Sequence, residues 1–394
     1  MTSRDARAVL FIQAGMSFSN AVSTVFVNMY LYRFLDGIAA LTVFNLYQFA
    51  LLPAGFLLAA LASRRLGKGA VLAASLWLFV AFYGLLLGLG EGSARFLYLL
   101  GSLNGLALGA FWYPFNLAIA KASSDGDKGR FFGLYGALGS AAGALAPIAS
   151  TAALVLAPRI ELGYAAIFAA IALLSVAMSL AALAVRLEER PAPIRVLPYL
   201  RSRGDPGWAF VLRANAVYGI RDGASWSVMS ILVLRAAGSD AGAGRLAVLF
   251  ALVGIAANYG GGRAYRDRRG SAFWGWGSLI AVASSVLLVL ARGPVAAAVA
   301  GSAWRLGESL VFLPFNATFF GLLARYVEAE GDVAGRSIAM EIALNAGRAA
   351  GVGLFFALAS LTPLYADILY PAVTLAVPAS WLVYRRYLRR RAAS

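Results

Sequence analysis

Seven ionisable side chains stand inside long apolar stretches of this 394-residue sequence, all in its second half. Arg213, Arg221 and Asp222 share one stretch, Arg305 and Glu308 a second, Glu341 and Arg348 a third. A charge at the centre of a lipid-embedded helix costs at least about 2.5–3.5 kcal/mol, so such groups turn toward partners or a wet cavity. Spacing already suggests partners. Arg305 and Glu308 stand at i, i+3 and can meet on one helix face. Glu341, Asn345 and Arg348, at i, i+4 and i+7, form one stripe. Arg221, Asp222, Glu308 and Arg348 fall near the middles of their stretches, Arg213 near an end.

The chain has no histidine and no cysteine. That excludes thiolate nucleophiles, disulfides, His-held metals and His proton relays, leaving Asp or Glu to carry any buried proton. Desolvation favours the neutral carboxyl and a nearby arginine the charged one, so moving an arginine or an anionic group would load and release a proton. Asp222, Glu308 and Glu341 are therefore the expected proton carriers. Arg221, Arg305, Arg348 and Asn345 are expected to face an organic solute. Four arginines against three acids leave one positive charge over, which favours an anionic or zwitterionic head group. The first half offers neutral polar groups instead, among them Asn20 and Asn116, which with Asn316 are expected to line the solute's path. The plainer reading of the same charges is ion pairs that lock helices together.

The elements that hold these groups are membrane helices. The composition is 61% hydrophobic and only 13% charged, with a mean hydropathy of +0.76, where a soluble chain carries about 25% charged residues. Cutting at charged and turn-rich breaks gives six apolar segments near 8–34, 39–62, 69–90, 94–120, 130–157 and 162–185. Six more follow near 207–234, 242–262, 271–291, 294–322, 337–361 and 364–384, each long enough to cross the hydrocarbon core. The first has no small-residue cleavage site and reads as a retained span. Between the sixes lies a polar stretch with Pro191, Pro193 and Pro198. The organisation expected is an N-terminal half 1–186, a cytoplasmic linker 187–206 and a C-terminal half 207–394. With both termini cytoplasmic, 24 of the 34 Lys and Arg fall on the cytoplasmic side, six on the opposite side and four within spans, as the positive-inside rule demands. The net charge of +16 thus reflects topology and attraction to anionic lipid rather than nucleic-acid binding. Trp208, Trp274, Trp276 and Trp381, near span ends, read as interface anchors.

The two halves align at an offset of 200. Gly101-Ser102 matches Gly301-Ser302, and Pro114-Phe115-Asn116 matches Pro314-Phe315-Asn316. Each copy then passes through an acidic turn to a Gly-Arg pair, Gly129-Arg130 and Gly335-Arg336, and on to the glycine pairs Gly139/Gly143 and Gly347/Gly351. Duplication of a six-helix unit explains this order. Glycines every fourth residue, as at Gly101, Gly105 and Gly109, predict close helix approach in lipid. The repeated Pro-Phe-Asn is flanked by aromatics that read either as a kinked helix packed on lipid or as an apolar cavity wall.

The loops after the second and eighth segments read Leu61-Ala62-Ser63-Arg64-Arg65-Leu66-Gly67-Lys68 and Gly262-Arg263-Ala264-Tyr265-Arg266-Asp267-Arg268-Arg269-Gly270. With the twelve segments, the duplication and the charged linker, they make the chain resemble the major facilitator superfamily. The first loop keeps Arg-x-Gly-Lys with Arg64 where the acid would stand; the second keeps Asp-Arg-x-Gly. The resemblance implies an all-α membrane protein of twelve transmembrane helices in two pseudo-symmetric six-helix halves, rocking about a midplane site. It implies a secondary active transporter, with Arg65, Gly67, Lys68, Asp267 and Arg268 in gating loops. The expected partners are a small organic or amphipathic substrate, protons and membrane lipids, with no cofactor or metal and action as a monomer in a bacterial-type inner membrane. Gly139, Gly143 and Pro147 loosely match the family's antiporter signature and tilt the expectation toward export. A flippase for a lipid or lipid-linked sugar is the alternative, and a non-transporting receptor or scaffold the alternative of another class. With no nucleophile–base pair and no GxxxxGK[ST] loop, an enzyme or ATPase is not expected.

Overall fold

A computed structural model describes residues 4–27, 30–31, 38–124, 128–185, 194–202, 205–238, 240–266, 269–330 and 333–393. Regular structure among these residues is entirely helical. The chain divides into two compact units, Met1–Pro191 and Ala192–Ser394.

The first unit holds α1 (Arg4–Val22), α2 (Ile38–Leu66), α3 (Lys68–Leu89), α4 (Leu97–Ser124), α5 (Lys128–Leu156) and α6 (Ile160–Ala182). The second holds a short helix, Val196–Arg201, then α7 (Pro206–Ala237), α8 (Asp240–Ala264), α9 (Gly270–Leu290), α10 (Pro294–Glu330) and α11 (Val333–Leu361), with a last helix in two pieces, α12 (Tyr365–Thr374) and α13 (Ala376–Ala393). Among the described residues, eight segments are long and apolar enough to cross a bilayer: α2 from Thr42, α3, α5 from Leu134, α6, α8 from Gly242, α9, α11 from Ala334, and α12 with α13 to Arg389. With α1, α4, α7 and α10 they make the twelve transmembrane helices of two six-helix halves.

Three local features follow from residue chemistry. Asp205 caps α7, its side chain accepting from Trp208 N at 2.9 Å, and Pro206 takes the first helical position, where its missing N–H costs nothing. Pro378 cannot donate to the carbonyl of Thr374, so the last helix breaks at Leu375 where the sequence pattern predicts one continuous span. Helix α10 runs 37 residues, to Glu330 rather than ending near 322. At 1.5 Å per residue that is about 55 Å, well beyond the hydrocarbon core.

Glycine seams set which helices touch. In the first unit a Cβ on Gly101, Gly105 or Gly109 of α4 would collide with the carbonyls of Phe44, Gln48 and Leu52 on α2. In the second, Gly219 and Gly223 of α7 face Leu344 and Arg348 of α11, while Gly347 and Gly351 face Ala216 and Ile220. Without a hydrophobic drive between helices in lipid, such backbone approach supplies the dispersion contact that holds them. Gly143 meets nothing within 4 Å, so close packing does not account for it. Gly129 and Gly133 have no described side-chain surroundings.

Aromatic rings fill both cores. Tyr30 packs edge-on against Tyr164 and Phe168 at 5.2 and 5.3 Å, and Phe111, Tyr113 and Phe115 around Pro114 are buried. In the first unit the Pro-Phe-Asn aromatics thus belong to the core rather than to lipid. In the second unit Trp274 stacks on Tyr384 at 4.7 Å and Phe210 on Tyr387 at 4.9 Å. Trp208 and Trp274 are only 1% and 0% exposed, which corrects their reading as interface anchors: each sits inward at its span end, Trp208 donating to Tyr199 O at 2.9 Å. Trp276, exposed, fits the anchor reading. Trp381 instead donates to Ser271 O at 2.9 Å.

Candidate functional site

Helix α7 is the axis of the second unit's charges. Arg221 and Asp222 are sequence neighbours, so they project about 100° apart around the helix and meet different helices. Asp222 Oδ2 accepts from Arg348 Nε of α11 at 2.7 Å. Arg221 Nη1 lies 3.6 Å from Glu308 Oε1 of α10, whose other oxygen accepts from Arg305 Nη1 at 3.0 Å. The glycine seam explains the first meeting: with Gly219 and Gly223 against Gly347 and the Arg348 backbone, the short aspartate reaches the next helix directly.

The α11 stripe forms as its spacing requires. Arg348 Nη1 donates to Asn345 Oδ1 at 3.2 Å, and Asn345 Nδ2 donates to Glu341 Oε2 at 3.0 Å and to Glu341 O at 2.9 Å. Glu341 and Asn345 are buried. One chain of polar contacts therefore runs from Asp222 through Arg348 and Asn345 to Glu341, and a second from Arg221 through Glu308 to Arg305. They begin at adjacent residues of α7.

A cavity of about 50 Å³ opens beside the second chain. Tyr218, Arg221, Ala281, Glu308, Val311 and Phe312 line it, with Phe315 and Val377. Tyr218 stacks on Phe315 at 5.7 Å, and Trp304 stands under both guanidiniums, Arg305 at 4.7 Å and Arg221 at 5.9 Å from its ring centre. The sequence reading missed Tyr218 and Trp304. Their signal was spacing: Tyr218 lies one turn before Arg221 and Asp222, and Trp304 one turn before Glu308.

The other candidates fall elsewhere. Arg213 is exposed. Asn20 on α1 and Asn116 on α4 are half-buried in the first unit, where Asn104 Nδ2 of α4 donates to Gln48 Oε1 of α2 at 2.7 Å. Arg65 is exposed at the end of α2, Gly67 holds φ +77°, and Lys68 is buried at the start of α3. Asp267, Arg268 and the side chain of Asn316 lie outside the described residues.

Two further ion pairs on α7 were not anticipated. At its start Arg336 of α11 lies 3.7 Å from Asp205 and beneath the rings of Tyr199 and Trp208, 4.4 and 5.0 Å away. At its end Arg235 grips both carboxylate oxygens of Asp367 on α12.

Chains of known fold resemble this architecture closely. The nucleoside transporter NupG superposes with a TM-score of 0.70 over 98% of both chains at 10% identity. The E. coli fucose:proton symporter FucP gives 0.63 over 98% of this chain and 97% of that one at 14% identity. Among sequences, the uncharacterized protein YqgE of Bacillus subtilis (strain 168) is 25% identical over 350 residues, 86% of this chain and 79% of that protein. An uncharacterized protein in the sodM 3' region of Geobacillus stearothermophilus is 27% identical over 147 residues, 37% of this chain and 69% of that protein. The sequence profile described as Major Facilitator Superfamily matches residues 9–351; the chain belongs to that superfamily of integral-membrane transporters.

Proposed function

We propose that this chain is a proton-coupled secondary transporter for an organic, partly apolar solute, with Asp222 and Glu308 as the proton-carrying groups. The observation that carries the reading is the divided pairing of α7: Arg221 binds toward α10 while its neighbour Asp222 binds toward α11. A proton on Asp222 weakens only the α11 contact, and a proton on Glu308 only the α10 contact. Two helices tied to one turn of α7 can then be released separately, which is what coupling a proton to alternating access requires. Glu341, held by Asn345, is the third acid able to take part. Arg65, Gly67 and Lys68, with Asp267 and Arg268, act in the loops that gate the cytoplasmic side, and both termini face the cytoplasm of a bacterial-type plasma membrane. The Gly139, Gly143 and Pro147 pattern favours export, since Gly143 has no packing partner within 4 Å to explain it. One of the structural relatives is named as a proton symporter, which supports proton coupling without fixing direction.

The test is proton movement in liposomes holding the purified protein under an imposed pH gradient. The solute panel contains organic anions, amphipathic cations, lipid-linked sugars, a nucleoside and fucose. Flux that follows the gradient and is lost in Asp222→Asn or Glu308→Gln supports the reading. Flux indifferent to both substitutions returns these acids to holding helices together. Movement of lipid-linked sugars alone turns the assignment to a flippase.

A further inference from the structure

Among the N–H groups of the second unit's described residues that are buried without a hydrogen-bond partner are Arg221 Nε, Trp304 Nε1 and Arg305 Nε. Native interiors rarely leave such donors unmet, and one without a partner calls for an explanation. These three cluster around a single indole, since both guanidiniums lie over the Trp304 ring. Arg221 is 4% exposed and lines the cavity. Glu308 occupies the terminal nitrogens of the two arginines and leaves their Nε edges open. Around the indole two guanidiniums face one carboxylate, while Asp222 and Glu341 stand against Arg348 on the neighbouring contacts, so the whole set is balanced.

Building on the transporter reading above, we propose that Arg221, Trp304 and Arg305 form the seat of the solute's carboxylate, which makes the substrate class an amphipathic organic monoanion. The chemistry fits in three respects. A planar carboxylate offers about four acceptor sites to three waiting donors, and its charge falls on the side of the set where guanidiniums outnumber carboxylates. Arg221 lines the cavity of about 50 Å³ beside Glu308, which has room for a small head group. Phe312, exposed, and Phe315 then offer apolar surface to the rest of the molecule. Carboxylate arriving on the Nε edges competes with Glu308 for the same two arginines.

The test uses the full chain in detergent with no gradient, so that binding is read apart from coupling. Thermal unfolding is followed with 4-phenylbutyrate, 4-phenylbutanol and 4-phenylbutylamine, which share one apolar body. The expected result is a concentration-dependent rise in Tm with the carboxylate alone. Trp304→Phe keeps the ring and removes only the N–H, and is expected to weaken apparent affinity about tenfold, the worth of a hydrogen bond to a charged group. Arg305→Gln weakens it further, and Arg213→Gln, at an exposed position, leaves it unchanged. Equal stabilisation by all three compounds, preference for the amine, no stabilisation by any, or unchanged carboxylate affinity in Trp304→Phe overturns the seat. Proton-driven flux of an amine in liposomes would remove the seat and leave the transport reading standing. Carboxylate binding without proton movement would do the reverse.

Discussion

Asp222 and Arg348 meet at 2.7 Å where α7 and α11 cross, beside glycines on both helices that bring backbone against backbone. Each side chain is 19% exposed, so the pair is mostly withdrawn from solvent without being sealed. A sealed pair could only hold helices together; a pair that a proton can reach can also be opened. Adjacent Arg221 ties the same turn of α7 to α10, so the two contacts act on one rigid element.

Neutralising Asp222 separates these roles. Asp222→Asn leaves Arg348 without its countercharge, and breaking one side of a buried pair costs about 3–5 kcal/mol, less where water has access. Asp222→Asn with Arg348→Gln removes both charges and is expected to recover most of that loss in thermal unfolding. If Asp222 carries the proton, the single variant loses gradient-driven accumulation yet keeps solute exchange across membranes at equal pH. Loss of exchange together with accumulation, in folded protein, would assign the pair to structure alone.

The glycine seams make a sharper stability prediction. Gly347→Ala and Gly351→Ala place a methyl on the carbonyls of Ala216 and Ile220, and Gly105→Ala on that of Gln48. Backbone cannot swing aside as a side chain can, so each variant should lose about 1–3 kcal/mol from overpacking. Helix propensity alone argues the opposite, a gain of about 1 kcal/mol on replacing a mid-helix glycine. Gly353→Ala and Gly84→Ala meet nothing within 4 Å and should show only that gain. Tm measured on the five variants in one detergent decides which effect wins at each site.

The chain declared these features to different degrees. Twelve spans, the duplication and the pairing of Arg305 with Glu308 depend on local periodicity, which sequence carries directly. The Asp222–Arg348 contact does not: the two residues are 126 apart, and only the glycines of both helices hint that they cross there. Trp208 and Trp274 misled because closeness to a span end says nothing about which face of the helix a ring occupies. The break at Leu375 was readable from Pro378, whereas the extension of α10 to Glu330 was masked by Arg325 and Glu328, which end a hydropathy window but not a helix.

Arg336 joins the short helix Val196–Arg201 to the body of the second unit. Its guanidinium lies over Tyr199 and Trp208 and pairs with Asp205, the residue that caps α7. Cation–ring contacts are worth about 0.5–2 kcal/mol each, and Arg336 makes two. Arg336→Gln is expected to release the short helix while Trp208 still anchors the start of α7. Hydrogen exchange of residues 196–201 should then quicken at least tenfold with little change across 210–235. Arg336→Lys, which keeps the charge but not the flat surface, should fall between the two.

Gly67 stands between α2 and α3 with φ +77° and ψ 152°, a region that residues with a Cβ rarely enter. Nothing lies within 4 Å of where its Cβ would be, so an added methyl meets no steric obstacle and any effect arises from the backbone alone. Gly67→Ala should therefore cost about 1–3 kcal/mol, or else turn the loop and move Lys68, which is buried one residue later. If the loop is a gate, the strain falls unequally on the two access states. Transport should then drop while solute affinity at equilibrium stays within about twofold, a split that simple destabilisation would not produce. Solute binding and flux measured side by side on Gly67→Ala and Gly84→Ala provide the check. Equal losses of binding and flux in Gly67→Ala would mean that this turn only joins two helices.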